Sequence, residues 1–259
     1  MSISPYVKVN IVDRFSDEGR YFRGSYDDKA LRAVEETRRT FPFYSSIVYK
    51  FYQPRPLQRY LLIGDIFKKY LEGKILDVGS RDNTLREVLK KDCSLVDKNN
   101  PDLPPFNWEK EELPFPSDSF DTAVCLDTLE HIENIHHGFM DLARVSGRFI
   151  IISLPNCWRK TVKQLLRGYG TAASYGLPPE KPLDRHKWFF NTEDIENFIF
   201  YNTARILPRG RVVAMAYHIP LTIWRHRIIY PLAKFILPER HFKNLFANTV
   251  FICIEKNGA

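Results

Sequence analysis

The middle of the chain alternates short apolar runs with stretches of helical periodicity. Lys74–Gly79, Ser94–Asp97, Asp121–Leu126 and Arg148–Ser153 read as strands, with helices fitting between them at about 84–91 and 128–144. Leu57–Tyr70 repeats apolar residues at helical intervals until Gly73 breaks the pattern, and Asp27–Arg39 is helical by its charge spacing until Pro42 stops it. Asn191 is placed to cap a helix over Thr192–Tyr201, and Arg211–Tyr217 and Thr249–Glu255 read as the last two strands. Alternation of strand and helix predicts a mostly parallel α/β sheet with helices on both faces. Asp97 to Leu113 leaves too little room for a full helix and strand, so that unit should be abbreviated.

The chain has 259 residues, enough for one α/β domain with insertions. We expect a single domain over 1–259, with a helical cap at 1–72 and substrate-side insertions at 156–190 and 218–248. A hydrophobic content of 44% argues against disorder. The longest run without a charged residue, Val212–Trp224, is 13 residues, short of the roughly 20 that span a bilayer. The N-terminus lacks a basic region followed by an apolar run, and Cys93, Cys125, Cys157 and Cys253 are scattered without a CxxC pair. A cytoplasmic protein with reduced thiols is expected.

The net charge of +7 lies wholly in residues 205–259, where nine Lys/Arg face Glu239 and Glu255. A basic end on a neutral body concerns partners, not fold. Between Thr222 and Lys243 those cations interleave with Trp224, Tyr230, Phe235 and Phe242, which suits an anionic membrane surface or a lid over an active site. Nucleic acid is the less expected partner.

Two segments carry the chemistry. One is the strand and turn Ile75-Leu-Asp-Val-Gly-Ser-Arg-Asp-Asn-Thr-Leu85. The other, from Leu113-Pro-Phe to Leu129-Glu-His, contains Ser119-Phe-Asp121. Together they resemble class I S-adenosylmethionine (SAM)-dependent methyltransferases of the "LPF…SFD…LEH" branch, over about residues 55–155. The resemblance implies a Rossmann-like sheet whose last strand is antiparallel, SAM as cofactor, and a small-molecule or glycan methyl acceptor.

At the turn, Asp77, Gly79 and Ser80 would bring backbone N–H groups close to the cofactor. The family pattern D-x-G-x-G-x-G has Arg81 and Asn83 in place of its later glycines, Asn being the next residue to tolerate left-handed backbone. Asp97, twenty residues beyond Asp77, is placed to accept hydrogen bonds from both ribose hydroxyls. Asn107 and Trp108 stand where the family receives adenine, an amide oxygen replacing its usual carboxylate.

Asp127, Glu130 and His131 stand at i, i+3 and i+4, which predicts one face of a helix start, with Asp127 a cofactor contact. Some quinone O-methyltransferases bind magnesium through residues so spaced. Magnesium prefers oxygen ligands, however, and no metal ligands are assigned. His186, in Asp184-Arg-His-Lys-Trp-Phe-Phe-Asn191, is a candidate base for the acceptor, with His131 its rival. Three functions follow: O-methylation of a sugar or lipid-linked glycan, methylation of a quinone or other hydrophobic small molecule, or non-catalytic binding of SAM or nucleic acid.

Overall fold

The structure, a computed structural model, describes residues 47–52, 58–80, 83–98, 102–104, 106–168, 174–182, 184–220 and 224–257. The expected helix at 27–39 and Arg81 fall outside them.

Among the described residues seven strands form one sheet: β1 (Ile47–Tyr52), β2 (Ile75–Val78), β3 (Cys93–Val96), β4 (Phe120–Leu126), β5 (Ser146–Pro155), β6 (Arg211–Pro220) and β7 (Thr249–Glu255), in the order β1-β6-β7-β5-β4-β2-β3. The pairs β1–β6, β2–β3, β2–β4 and β4–β5 are parallel, while β7 runs antiparallel between β5 and β6. This is the Rossmann-like arrangement expected, last strand included. Every residue of β2 is buried, as a central parallel strand covered on both faces requires.

On one face lie α1 (Gln58–Ile66) and α2 (Thr84–Leu89), packed through Leu62, Ile63 and Leu85 against Ile75, Val124 and Phe251. On the other lie α3 (Ile135–Val145), α5 (Thr192–Ile206), α6 (His226–Ile236) and α7 (Glu239–Phe246), through Phe139, Ile199, Tyr230 and Phe242. The helix α4 (Cys157–Leu165) follows β5. Asn191 caps α5 in a full capping box with Asp194, so the helix starts where its cap predicts.

Two expectations need correction. The described part of the 1–72 cap is not wholly helical, because Ile47-Val-Tyr-Lys-Phe-Tyr52 pairs beside β6 as an edge strand. That run is β-branched and aromatic, the composition strands favour. The helix expected at 128–144 begins only at Ile135. Before it comes a single 3-10 turn, Leu129–His131, then Ile132 in extended backbone. Within the expected insertion at 218–248 the described residues form the helix pair α6 and α7. Between Asp97 and Leu113 the described residues form neither helix nor strand, as foreseen. Asp141 of α3 ties this loop down, its carboxylate accepting from Trp108 Nε1 at 2.8 Å and Leu113 N at 2.7 Å. Arg144 donates to Asp141 and to the carbonyls of Leu113 and Phe115.

Candidate active site

At the carboxyl ends of β2, β3 and β4 lies a cleft of about 630 Å³. Open α/β sheets bind ligands at this edge, and the volume falls within the range of small-molecule sites.

Gly79 turns the chain out of β2 with φ +79°, a left-handed conformation that glycine tolerates. A Cβ there would also stand 2.1 Å from Thr128 Oγ1. The turn therefore needs glycine twice, for its backbone and for the close approach of the chain leaving β4. That chain makes its own turn at Asp127, a non-glycine residue with φ +49°. Such a conformation costs of order 1–3 kcal/mol and persists only where neighbours hold it. Ser153 Oγ donates to Asp127 Oδ1 at 2.7 Å, and Arg59 of α1 meets Oδ2 at 3.4 Å.

The cleft gathers Gly79, Asp97, Asn107 and Trp108 with Asp127, His131 and His186. Asp97 sits at the end of β3, and Trp108 forms a wall with its indole N–H already held by Asp141. Asn107 Oδ1 accepts from Glu109 N at 3.1 Å, which leaves one of its two lone pairs for a ligand. Asp77 and Ser80 are buried and do not line the cleft, and Asn83 is exposed at the start of α2. Asn83 takes φ −79°, so the left-handed tolerance expected of it is not used.

The far end is built by two segments folded together. The backbone N–H of Lys187 donates to Glu130 O at 2.8 Å, and Trp188 Nε1 donates to Ile132 O at 2.9 Å. This places the His131 and His186 rings edge to face, centroids 4.6 Å apart. His131 Nδ1 bonds Asp184 Oδ1 at 3.0 Å, and His186 Nδ1 bonds Tyr175 Oη at 2.7 Å. Burial, then the neighbouring His131, pushes the His186 imidazole down to about 4, so it is neutral near pH 7. Glu130 is 1% exposed. Burial, then Asp127, raises its carboxyl well above the usual range.

Residues 77–151 match the family model of the methyltransferase domain. Over that stretch the chain is similar to methyltransferase domains. Solved structures similar to it include a SAM-dependent methyltransferase of Thermotoga maritima, 14% identical, covering 87% of this chain and 97% of that one with a TM-score of 0.46. Another, from Archaeoglobus fulgidus, is 14% identical over 78% of this chain and 94% of that one, TM-score 0.48. The magnesium protoporphyrin IX methyltransferase of Synechocystis PCC 6803, solved with bound S-adenosylhomocysteine, is 13% identical over 97% and 100%, TM-score 0.40. No curated protein matches the chain.

The cleft fits SAM on its own geometry. A glycine cradle, a carboxylate at the second strand end and an indole wall line one continuous space of suitable volume. Arg59, Tyr175 and Asp184 are the residues that sequence reasoning did not single out. Arg59 carried a detectable signal, since a cation on the helix before the Gly79 strand lies near the sheet's ligand edge. Tyr175 carried none.

Proposed function

We propose that this methyltransferase O-methylates a sugar or lipid-linked glycan hydroxyl, and that it does so at an anionic lipid surface. What supports the reaction is one observation: the cleft that holds Gly79 and Asp97 at one end holds the histidine pair at the other. SAM, when bound, supplies a methyl group on a positively charged sulfur. Asp97 would orient the ribose, Trp108 would wall the base, and Gly79 would admit the cofactor close to the backbone. The acceptor hydroxyl must lose its proton as it reacts, and at its simplest a neutral His186 takes it. The protein otherwise positions the reactants and excludes water.

A separate observation supports the lipid surface. No described helix is long and apolar enough to cross a membrane. Yet α6 turns its apolar residues outward, with Ile228, Leu232, Ile236 and Phe235 exposed, the last at 90%, and with Trp224 beside it at 68%. Tyr230 and Phe242 point inward instead and are buried. No residue of α6 or α7 lines the cleft, which argues against their being its lid. Burial, then the charges of Arg159 and Lys163, holds the His226 imidazole below its ordinary value, so the cations of α4 adjoin the start of α6. Leu165 and Leu166 at the end of α4 are exposed too. Mixed cations and large apolar groups are the composition of an interfacial surface.

The test is to supply the purified protein with SAM and measure S-adenosylhomocysteine across acceptors. Turnover with a lipid-linked glycan supports the reading. Turnover only with a quinone moves it to the hydrophobic small molecules, which the outward apolar face would also suit. Salt-sensitive binding to RNA without turnover moves it to nucleic acid, because phosphate contacts release counterions.

A further inference from the structure

We propose that Glu130, His131 and His186 form a binding site for one divalent transition-metal ion at the acceptor end of the cleft. The inference rests on the methyltransferase reading for its use, but not for its geometry.

One ligand atom from each of the three residues lies within 4.8 Å of the others. Ligands at about 2.0–2.2 Å around one ion stand roughly 3–4 Å apart, so small side-chain shifts would close the set. Each imidazole is tied through Nδ1, His131 to Asp184 and His186 to Tyr175, which leaves Nε2 for ligation. Tying the distal nitrogen to a carboxylate or hydroxyl is how metal sites fix the orientation of a histidine ligand. Tyr175 is itself braced by Cys157 Sγ.

The third ligand supplies an independent observation. Glu130 Oε2 is buried without a hydrogen-bond partner, in a side chain that lines the cleft. A carboxylate so placed is costly unless a cation or a proton satisfies it. Asp127 is not needed in the set, since Ser153 and Arg59 already engage its oxygens.

Two imidazoles and one carboxylate favour manganese, iron, cobalt or zinc over magnesium or calcium, and leave positions open toward the cleft. An acceptor hydroxyl bound at an open position would lose its proton to solvent. Its lone pair would form the new C–O bond as the methyl–sulfur bond breaks, with that electron pair remaining on sulfur. On this inference the histidines activate the acceptor through the ion, and His186 need not take the proton.

Co²⁺ is the test ion, titrated into chelator-treated full-length protein and followed by visible absorption and calorimetry. The expected result is one Co²⁺ per chain, with d–d bands of an imidazole-ligated ion. His186→Gln and Glu130→Gln should each weaken binding at least tenfold, and Asp184→Asn roughly tenfold. Circular dichroism and the thermal midpoint of each variant report that the fold is kept. Absence of saturable Co²⁺ binding, or affinity unchanged in folded His186→Gln, overturns the proposal and leaves Glu130 simply protonated. Failure of SAM binding in the unaltered protein would count against the methyltransferase reading instead.

Discussion

Lys243 Nζ and Glu196 Oε1 meet at 2.6 Å with both side chains only 2% exposed. Tyr217 Oη donates to the same carboxylate oxygen at 2.6 Å, so a strand of the sheet and two helices share one buried charge. Removing one partner of such a pair strands the other. Lys243→Ala should therefore destabilise the protein by about 3–5 kcal/mol, whereas the double change Lys243→Met/Glu196→Leu should recover most of it. Urea unfolding of the three proteins decides. A small loss in Lys243→Ala would mean that water reaches the pair.

Gly79→Ala should cost both stability and cofactor affinity. The added Cβ meets Thr128 at 2.1 Å in a backbone of φ +79°. Strain of this kind is worth about 1–3 kcal/mol. Thr128→Ala would relieve the collision but not the backbone, so the double variant should recover only part. Full recovery would show that the conformation itself is not strained.

Asp97→Ala should weaken SAM binding by about 1.5–3 kcal/mol, the scale for hydrogen bonds to a charged group. Calorimetry would read this as a roughly ten- to hundredfold rise in Kd. An unchanged Kd in a folded variant removes Asp97 from the cofactor site.

Asp141 predicts an effect at a distance. Asp141→Ala leaves the Trp108 indole, the Leu113 amide and the Arg144 guanidinium without their shared acceptor, and should destabilise by about 3–5 kcal/mol. The loop carrying Asn107 loosens with it, so SAM affinity should fall although Asp141 does not line the cleft. If stability drops and SAM affinity holds, the adenine wall is not where we place it.

Vesicle co-sedimentation tests the outward face of α6. Binding is expected to anionic and not to neutral vesicles. Arg225→Glu/Arg227→Glu should weaken it, since each cation near such a surface contributes about 1 kcal/mol. Phe235→Ala should weaken the fraction that survives high salt, when charges are screened. No sedimentation at low salt ends the membrane reading.

The central strands and the turn after β2 were legible because buried parallel strands leave unbroken apolar runs. Asp77-Val-Gly79 and Asp97 fall at the ends of two such runs, and so the cleft's edge was legible as well. The turn after β4 was not. Asp127, Glu130 and His131 have helical spacing, yet Asp127 leaves the strand in left-handed backbone and only one 3-10 turn follows. Spacing shows which residues are near one another in sequence, not which dihedrals their neighbours impose. The pairing of His131 with His186 was also invisible, since 55 residues separate them and the backbone bond from Lys187 to Glu130 brings them together. Strand β1 escaped because an edge strand has one neighbour and its register is written in β6.

The two rims of the sheet differ in kind. At one, β3 ends the order; at the other, β1 lies parallel along six residues of β6. Every hydrogen bond that β1 makes there occupies a backbone group that would otherwise offer itself to a second molecule. Strand β1 thus acts as a selvage, the finished border that keeps the edge of β6 from catching on its neighbours. Cutting it away would leave the cleft's residues in the chain and still expose the molecule to strand-by-strand self-association, beginning at Met215–Pro220.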